Sequence, residues 1–344
     1  MTSPLTGDRT RFEPGTLGAA TLRSRRRPSP PLFLGRLRRG VRRQWALALL
    51  IALLASGAGI AYDLSGGLRP DAAALFWIPI GAAAGLTVAL VRELGRNTIT
   101  SISSFGRNRG YAILGAAPEL TLASLRQLPP QHRTPLGALA FQAASPFATA
   151  FRDLQSVLDQ DDLVAFIAAL PGEGATTTAL CTAISATQQG RSAIIVDCDV
   201  SRRTLTRLLS EDPEYGVLDA AESPNAWRTL IEEEPETGLH FLPAARARNP
   251  WRSLVGARGF PALVAALRDS YDLVVLDCPP ALSSGDGPIV ASFASRTVLV
   301  SAWDRTPLNA VRQAMRVLKR AHANVGVYVN RVPPSYRFGR LRGD

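Results

Sequence analysis

The sequence is organised around residues 163–178, which read LVAFIAALPGEGATTT. An apolar run meets Pro171-Gly172-Glu173-Gly174 and is followed by residues with the apolar periodicity of a helix. This order predicts a buried strand, a tight glycine turn and the start of a helix. Glycines allow backbone N–H groups to curl around an anion, and the helix N-terminus adds its dipole. The stretch therefore has the form of a phosphate-binding loop.

The loop lacks the charged residue that usually completes such a site. In the common pattern G-x-x-x-x-G-K-[ST], the two glycine positions correspond to Ala169 and Gly174. Ala175 takes the lysine position, and Thr176 takes the position of the Mg²⁺-binding hydroxyl. The sequence contains one lysine, Lys319, so no neighbouring lysine replaces the missing one. On the loop alone, a strand–turn–helix without a ligand is as good an interpretation as a nucleotide site.

The basic charge of the chain is concentrated near its N-terminus. Residues 1–43 hold eleven arginines against two acidic residues, and so carry most of the formal net charge of +11. Their Pro, Ser and Gly content without sustained apolar periodicity predicts a disordered cytoplasmic tail. Basic residues beside an apolar run either bind anionic lipid or only set the membrane topology. Nucleic-acid binding is not expected, because no aromatic residues are interleaved with the arginines.

Two apolar runs, residues 45–62 and 72–91, follow within residues 44–92. At 1.5 Å per residue they would span about 27 and 30 Å, enough to cross a bilayer core. A cleaved signal peptide is disfavoured, because the first run begins far from Met1 and a second run follows it. Arginines flank the outer ends of the pair. The sequence therefore predicts a two-helix transmembrane hairpin with both termini in the cytoplasm.

Residues 93–144 are expected to be a linker, in which the short apolar run 111–115 is a candidate for an added strand. Residues 145–158 are predicted to form a helix leading into the strand before the glycine loop, and beyond them apolar strands alternate with helical patterns. Strands are predicted over residues 163–170, 193–197, 239–242, 273–277, 297–302 and 325–330. Helices are predicted over residues 176–189, 203–209, 260–270 and 308–321. This alternation predicts an α/β fold, with a parallel sheet covered by helices on both faces. The three cysteines lack metal-ligand spacing, and we expect them to be small core residues.

Two of the predicted strands end in aspartate. Asp197 and Asp199 follow one apolar run, and Asp277 follows another. Ligands bind at the carboxyl ends of strands in such sheets, where a buried carboxylate is costly unless a cation or hydrogen bonds offset its charge. Mg²⁺ held by carboxylates and nucleotide phosphates is the common arrangement beside a phosphate-binding loop. A single aspartate there is more often a turn cap, but three beside a glycine loop favour a site.

With these motifs in place, residues 110–337 resemble the cytoplasmic domain of the bacterial tyrosine autokinases of capsule and exopolysaccharide synthesis. That family belongs with the deviant-Walker ATPases. The matching motifs are PGEGATTTAL (171–180), IIVDCDVSRR (194–203), YDLVVLDCPPAL (271–282), SPFATAFRDL (145–154), GLHFLPA (238–244) and VLVSAWDRTPLNAV (298–311). The helix pair ahead of them is similar to the polysaccharide co-polymerase part of the same systems. The resemblance implies a P-loop domain over residues 145–337 and a short tail over residues 338–344.

The resemblance also implies a site for ATP or ADP with Mg²⁺. In an active member, Asp197 and Asp199 would be the catalytic carboxylates. The implied metal ligands are Thr176, Asp197 and Asp277. The implied nucleotide contacts come from the loop, the second motif and the last strand, and are Gly172, Glu173, Gly174, Thr176, Thr177, Arg202 and Asn330.

Several positions depart from the family pattern besides Ala175. Ser201 stands where members usually have arginine, although Arg202 and Arg203 follow it. The Glu-x-x-Arg-x-x-Arg oligomerisation pattern is reduced to Thr149, Arg152 and Gln155, and the C-terminal tyrosine cluster is reduced to Tyr336. The co-polymerase normally has a large periplasmic domain between its two helices, and the nine residues between the apolar runs here are too few to form one.

The sequence thus predicts a catalytically impaired, tyrosine-kinase-like protein of exopolysaccharide or capsule biosynthesis and export. It would cross the bacterial inner membrane twice and act as an accessory or scaffold for the polymerase and export machinery, with self-association and weakened nucleotide binding. One alternative is an active ATP-dependent protein-tyrosine autokinase. Another is a partition-type ATPase, which the membrane hairpin and the missing lysine oppose.

Overall fold

The computed structural model describes residues 32–66, 70–94, 98–102, 106, 110–223, 226–246, 252–334 and 336. The chain divides into two compact units, Met1–Gly95 and Arg96–Asp344. The first 31 residues of the expected disordered tail lie outside the described residues. The rest of that tail is helical, because the first helix already begins at Leu32.

The first unit contains two long helices, α1 (Leu32–Ser65) and α2 (Pro70–Leu94). They pack in antiparallel contact through small residues, and a Cβ on Gly85 would lie 2.2 Å from the backbone oxygen of Ala48. Near the connection, the Trp77 Nε1 donates a hydrogen bond of 2.7 Å to Asp63. A close helix pair therefore follows from the glycines and this polar contact.

One helix among the described residues is long and apolar enough to cross a membrane. It covers Trp45–Ser65, has a mean hydropathy of 1.9 and is almost entirely unburied. The apolar stretch of α2 is shorter, Leu75–Val88, and Pro79 lies inside it. One candidate span is therefore supported, while the second span of the expected hairpin stays a prediction.

The second unit is built on an eight-stranded sheet. Its strands are β1 (Ile113–Pro118), β2 (Leu163–Ala168), β3 (Ala193–Asp197), β4 (Glu232–Glu234), β5 (Leu239–Leu242), β6 (Leu273–Asp277), β7 (Arg296–Ala302) and β8 (Val325–Val332). They lie in the order β1-β8-β7-β2-β6-β3-β5-β4, and only the β4–β5 pair is antiparallel. Strands β2, β3 and β6 are buried along their whole length, which explains why they read as continuous apolar runs.

Helices cover both faces of this sheet. They are α3 (Leu122–Leu125), α4 (Pro135–Phe141), α5 (Pro146–Val157), α6 (Ala175–Gln188), α7 (Thr206–Leu209), α8 (Val217–Glu222), α9 (Phe260–Arg268), α10 (Asp286–Ala291) and α11 (Leu308–Arg320). Alternate side chains of β2 enter two separate apolar cores. Ile167 packs in the core shared with α9 and α11, and Phe166 packs in the core shared with α5 and α6. The three cysteines are buried and free.

The predicted α/β architecture with a largely parallel sheet is confirmed. The six predicted strands all occur, the candidate strand at residues 111–115 overlaps β1, and the structure adds β4. The range expected to be a linker, residues 93–144, supplies β1, which pairs in parallel with β8 through Ile113 and Val327. The added edge strand β4 consists of three glutamates, a composition that does not indicate a strand in a sequence.

Candidate nucleotide-binding site

The strand order brings the three chemical motifs of the sequence to one edge of the sheet. Strand β6 lies between β2 and β3. The glycine loop follows β2, and Asp277 and Asp197 end the two neighbouring strands as directly paired residues. The site expected from the sequence is therefore assembled at the carboxyl edge, as expected for an open α/β sheet.

The loop between β2 and α6 requires glycine at two positions. Gly172 has φ of 79° and Gly174 has φ of 95°, a left-handed conformation that other residues rarely adopt. A Cβ on Gly174 would also lie 2.2 Å from the Asn330 amide nitrogen. That nitrogen donates a hydrogen bond of 3.1 Å to the Glu173 carbonyl. Asn330 thus holds the loop from β8, and its contact with nucleotide stays a prediction.

The buried carboxylate of Glu173 stabilises the loop by hydrogen bonds. One carboxylate oxygen accepts hydrogen bonds from the backbone N–H groups of Ala169 and Leu170, at 2.9 and 3.1 Å. The other accepts from the Thr306 hydroxyl at 2.6 Å. Burial raises the pKa of Glu173, while these hydrogen bonds oppose the shift. The Glu173 carboxylate therefore stabilises the loop, and Thr306, which lies in the motif 298–311 but was not among the predicted site residues, is a supporting residue.

Ala175 is the first residue of α6, and its side chain belongs to an apolar core at 8% exposure. Thr176 and Thr177 follow it and are half-buried, whereas the Thr178 hydroxyl donates to the Gly174 carbonyl at 2.8 Å. At the lysine position the chain thus presents a methyl group, which can neither donate a hydrogen bond nor carry a charge. The loop geometry and the two adjacent hydroxyls remain.

Asp197 is fully buried and has partners within the chain. Its Oδ1 accepts from the Asp199 N–H at 3.1 Å, and its Oδ2 accepts from the N–H and the hydroxyl of Thr206 at 2.9 and 2.7 Å. Burial raises the pKa of Asp197 to about 6, against the lowering effect of the Thr206 hydrogen bonds. Asp199 in turn accepts from the Arg202 N–H at 3.0 Å. These bonds fix the turn that follows β3, and Thr206 is a second supporting residue that the sequence did not reveal.

Asp277 differs from Asp197, because neither of its carboxylate oxygens has a hydrogen-bond partner among the described residues. It is 1% exposed. Burial raises its pKa well above the usual range, the charge of Asp197 adds to this, and the nearby Thr176 hydroxyl opposes it. An unpartnered buried carboxyl group is costly unless a cation accompanies it.

This orphaned carboxyl group beside a threonine hydroxyl fits Mg²⁺, which prefers oxygen ligands and retains several waters. Within the described part of the chain, no three His, Cys, Asp or Glu side chains are grouped to hold a metal by themselves. Phosphate oxygens and water would therefore have to complete the coordination that Thr176 and Asp277 begin. Asp197 lies on the neighbouring strand, at the position paired with Asp277.

The fold and the site together define a domain of the P-loop α/β class. No family model matches the chain. Among solved structures, it is similar to the kinase domain of the Escherichia coli tyrosine kinase ETK, with a TM-score of 0.61 and 21% identity over 71% of this chain and all of that one. It is also similar to the BceF tyrosine kinase domain, with a TM-score of 0.56 and 21% identity over 69% of this chain and all of that one. At these identities the likeness shows the fold.

Curated relatives agree with the fold. The chain is 26% identical over 271 residues to EpsB of Ralstonia solanacearum, a protein named as a candidate tyrosine-protein kinase, covering 76% of this chain and 36% of the relative. It is 26% identical over 197 residues to the succinoglycan biosynthesis transport protein ExoP of Rhizobium meliloti, covering 54% of this chain and 25% of the relative. It is 24% identical over 172 residues to the tyrosine-protein kinase YwqD of Bacillus subtilis, covering 50% of this chain and 70% of the relative.

The chain therefore has bacterial tyrosine-protein kinases as homologues, which confirms the resemblance found in the sequence. It spans about a third of the length of the EpsB relatives that it matches.

Proposed function

We propose that this chain is a membrane-anchored protein of exopolysaccharide or capsule biosynthesis that keeps the tyrosine-autokinase fold but has lost most of its catalytic power. It acts as an accessory or scaffold for polymerase and export machinery at the bacterial inner membrane, with both termini cytoplasmic. The observation that carries the proposal is Ala175 at the lysine position of an otherwise well-formed loop. The names of the relatives, kinases and a polysaccharide transport protein, support the pathway.

The remaining site favours weak nucleotide binding over catalysis. Loop N–H groups can hold phosphates, and Thr176 and Asp277 would hold Mg²⁺. When bound, Mg²⁺ supplies positive charge to the phosphates. Phosphoryl transfer also needs positive charge beside the transferring phosphoryl group to stabilise its negative charge, and a loop lysine supplies that charge. Ala175 removes that contribution while leaving the binding geometry in place.

Tyr336, the remnant of the tyrosine cluster that the resemblance implies as the autophosphorylation target, is held against the domain. The Tyr336 ring lies 4.6 Å from the Trp303 ring, centroid to centroid, and its hydroxyl accepts from the Ile102 N–H at 3.4 Å. A tyrosine that must reach a neighbouring active site would have to leave these contacts. The arrangement supports weak or absent autophosphorylation.

Arg152, the retained residue of the oligomerisation pattern on α5, makes contacts within the chain. The Arg152 guanidinium donates to the Ala143 carbonyl at 2.5 Å and to the Thr149 hydroxyl at 3.0 Å. Gln155 is buried. Neither the amide nitrogen nor the amide oxygen of Gln155 has a hydrogen-bond partner among the described residues. The local contacts of Arg152 therefore support weakened self-association through this pattern.

The test is phosphotyrosine immunoblotting of the full chain in detergent after incubation with Mg-ATP. We expect no signal above that of an Asp197→Asn variant. In cells lacking the protein, we expect the wild type and Asp197→Asn to restore polysaccharide output equally well. A strong signal that Asp197→Asn abolishes, together with failed rescue by that variant, would instead establish an active autokinase. The retained Thr176, Asp197 and Asp277 are the observation that favours this second candidate.

A further inference from the structure

A cavity of about 410 Å³ lies beyond the carboxyl end of β3. Its described lining residues are Val200, Ser201, Arg202, Arg203, Arg207 and Arg246. Four of these six are arginines, and they include neither a carboxylate nor a residue of the glycine loop. Arg202, which the resemblance assigned to the nucleotide, lines this cavity. The P-loop site therefore leaves a second, strongly basic concavity unexplained.

Arg203 is the buried member of the cluster. Its side chain is 10% exposed, and its Nη2 forms an ion pair with Asp212 at 2.5 Å. Its Nη1 is buried and has no hydrogen-bond partner among the described residues. A buried, charged N–H group without a partner is destabilising, because it has lost water and gained no acceptor. An anion in the cavity would supply that acceptor.

The other arginines line the same cavity, and their positive charge exceeds the negative charge of the carboxylate that pairs with them. Arg246 shares Asp212 with Arg203, at 3.0 Å, and Asp212 is half-exposed. Arg207 donates from Nε to the Arg203 carbonyl at 3.4 Å. One carboxylate therefore serves two of the four arginines. Guanidinium groups match phosphate oxygens by paired, charge-assisted hydrogen bonds, and an arginine cluster of this kind is suited to a phosphate group.

The cavity is structurally linked to the P-loop site, and Arg202 is the one lining residue that was also expected to contact the nucleotide. The Asp199 carboxylate accepts from the Arg202 N–H, and the Asp199 carbonyl accepts from the Arg203 N–H at 2.7 Å. The turn that carries these arginines is thus held by the same segment that follows β3. The volume lies within the range of small-molecule sites, about 300–1,000 Å³.

We propose that this arginine-lined cavity binds the phosphate group of a ligand other than the nucleotide of the P-loop. The proposal goes beyond the proposed function and does not depend on the loss of catalysis. It names a phosphate ester or free phosphate as the ligand class. A nucleotide phosphate reaching across from the loop is the competing source of the same chemistry.

The experiment is calorimetric titration of inorganic phosphate into the full chain in detergent. We expect Arg207→Gln, which alters an exposed side chain, to weaken phosphate binding by about 10- to 100-fold, as for loss of a charged hydrogen bond. Arg207→Gln combined with Arg246→Gln should weaken it further. The matched control is Arg316→Gln, which removes the same charge from an exposed position of α11 outside the cavity and should leave the affinity unchanged.

Repeating the titration with saturating Mg-ADP distinguishes the two sources of phosphate. A separate site predicts phosphate binding that Mg-ADP does not displace. The proposal is overturned if Mg-ADP displaces phosphate and Arg207→Gln has no effect, because the phosphate then occupies the glycine loop. It is also overturned if the wild type does not bind phosphate at millimolar concentration, or if Arg316→Gln weakens binding as much as Arg207→Gln. Circular dichroism of each variant checks that the fold is retained.

Discussion

Replacing Ala175 with lysine should restore affinity for Mg-ADP. Ala175 begins α6, directly after the left-handed Gly174, and the Thr176 hydroxyl and the orphaned Asp277 carboxyl group are already in place. A lysine ammonium at this position would give the nucleotide phosphates a charged hydrogen bond that the wild type cannot make. The loop itself needs no rearrangement, because Glu173, Thr306 and Asn330 already hold it.

The magnitude follows from the one interaction that is added. Hydrogen bonds to charged groups contribute about 1.5–3 kcal/mol. Since about 1.4 kcal/mol corresponds to a factor of ten in affinity, Ala175→Lys should tighten Mg-ADP binding by about 10- to 100-fold. The Ala175 methyl group is 8% exposed, so part of this gain is offset if the lysine stem crowds the apolar core.

Calorimetric titration of the full chain with Mg-ADP measures the effect. Ala175→Met is the matched control, because it adds an unbranched side chain of similar length without the charge. We expect Ala175→Met to bind no better than the wild type. Tyrosine phosphorylation should not return in Ala175→Lys, because Tyr336 remains packed against Trp303.

Three results would refute this reasoning. If the wild type already binds Mg-ADP tightly and the lysine adds nothing, other donors have replaced the lysine and the loop is not impaired. If Ala175→Met tightens binding as much as Ala175→Lys, the gain comes from packing of α6 and the charge is irrelevant. Failure of all three proteins to bind would show that the domain has no nucleotide site.

Two further predictions concern protonation and topology. Because burial raises the pKa of Asp197 to about 6 and that of Asp277 well above its usual range, the folded chain holds these protons more tightly than the unfolded chain. Without Mg²⁺, the melting temperature should therefore fall as pH rises through about 6, and it should fall less in Asp277→Asn. Mg-ADP affinity should rise over the same pH interval, because the carboxyl groups lose their protons. An affinity that does not change with pH would contradict the assignment of these carboxyl groups to the Mg²⁺ site. For topology, a cysteine at Gly66 should react with a membrane-impermeant reagent on intact cells. A cysteine at Gly285, which is exposed and has open space around its Cα, should react only after lysis. Labelling of Gly285→Cys on intact cells would exclude the two-pass arrangement with both termini in the cytoplasm.

The sequence by itself determined the position of the glycine loop and most of the sheet. Strands buried on both faces, such as β2 and β6, read as uninterrupted apolar runs, and a glycine turn before a helical pattern marks the loop. Because the carboxyl ends of parallel strands share one edge, the sequence also placed Asp197 and Asp277 near the loop. The missing lysine was visible as a single residue, Ala175.

Only the tertiary structure decided how the loop and the carboxyl groups are supported. Glu173 is held by Thr306, and the loop by Asn330, residues that lie 133 and 157 positions away in the chain. The structure also showed that Asp197 is hydrogen-bonded, while the Asp277 carboxyl group has no hydrogen-bond partner within the described part of the chain. These features depend on which strands become neighbours. No local pattern records that choice, because it is made by packing between segments far apart in the sequence.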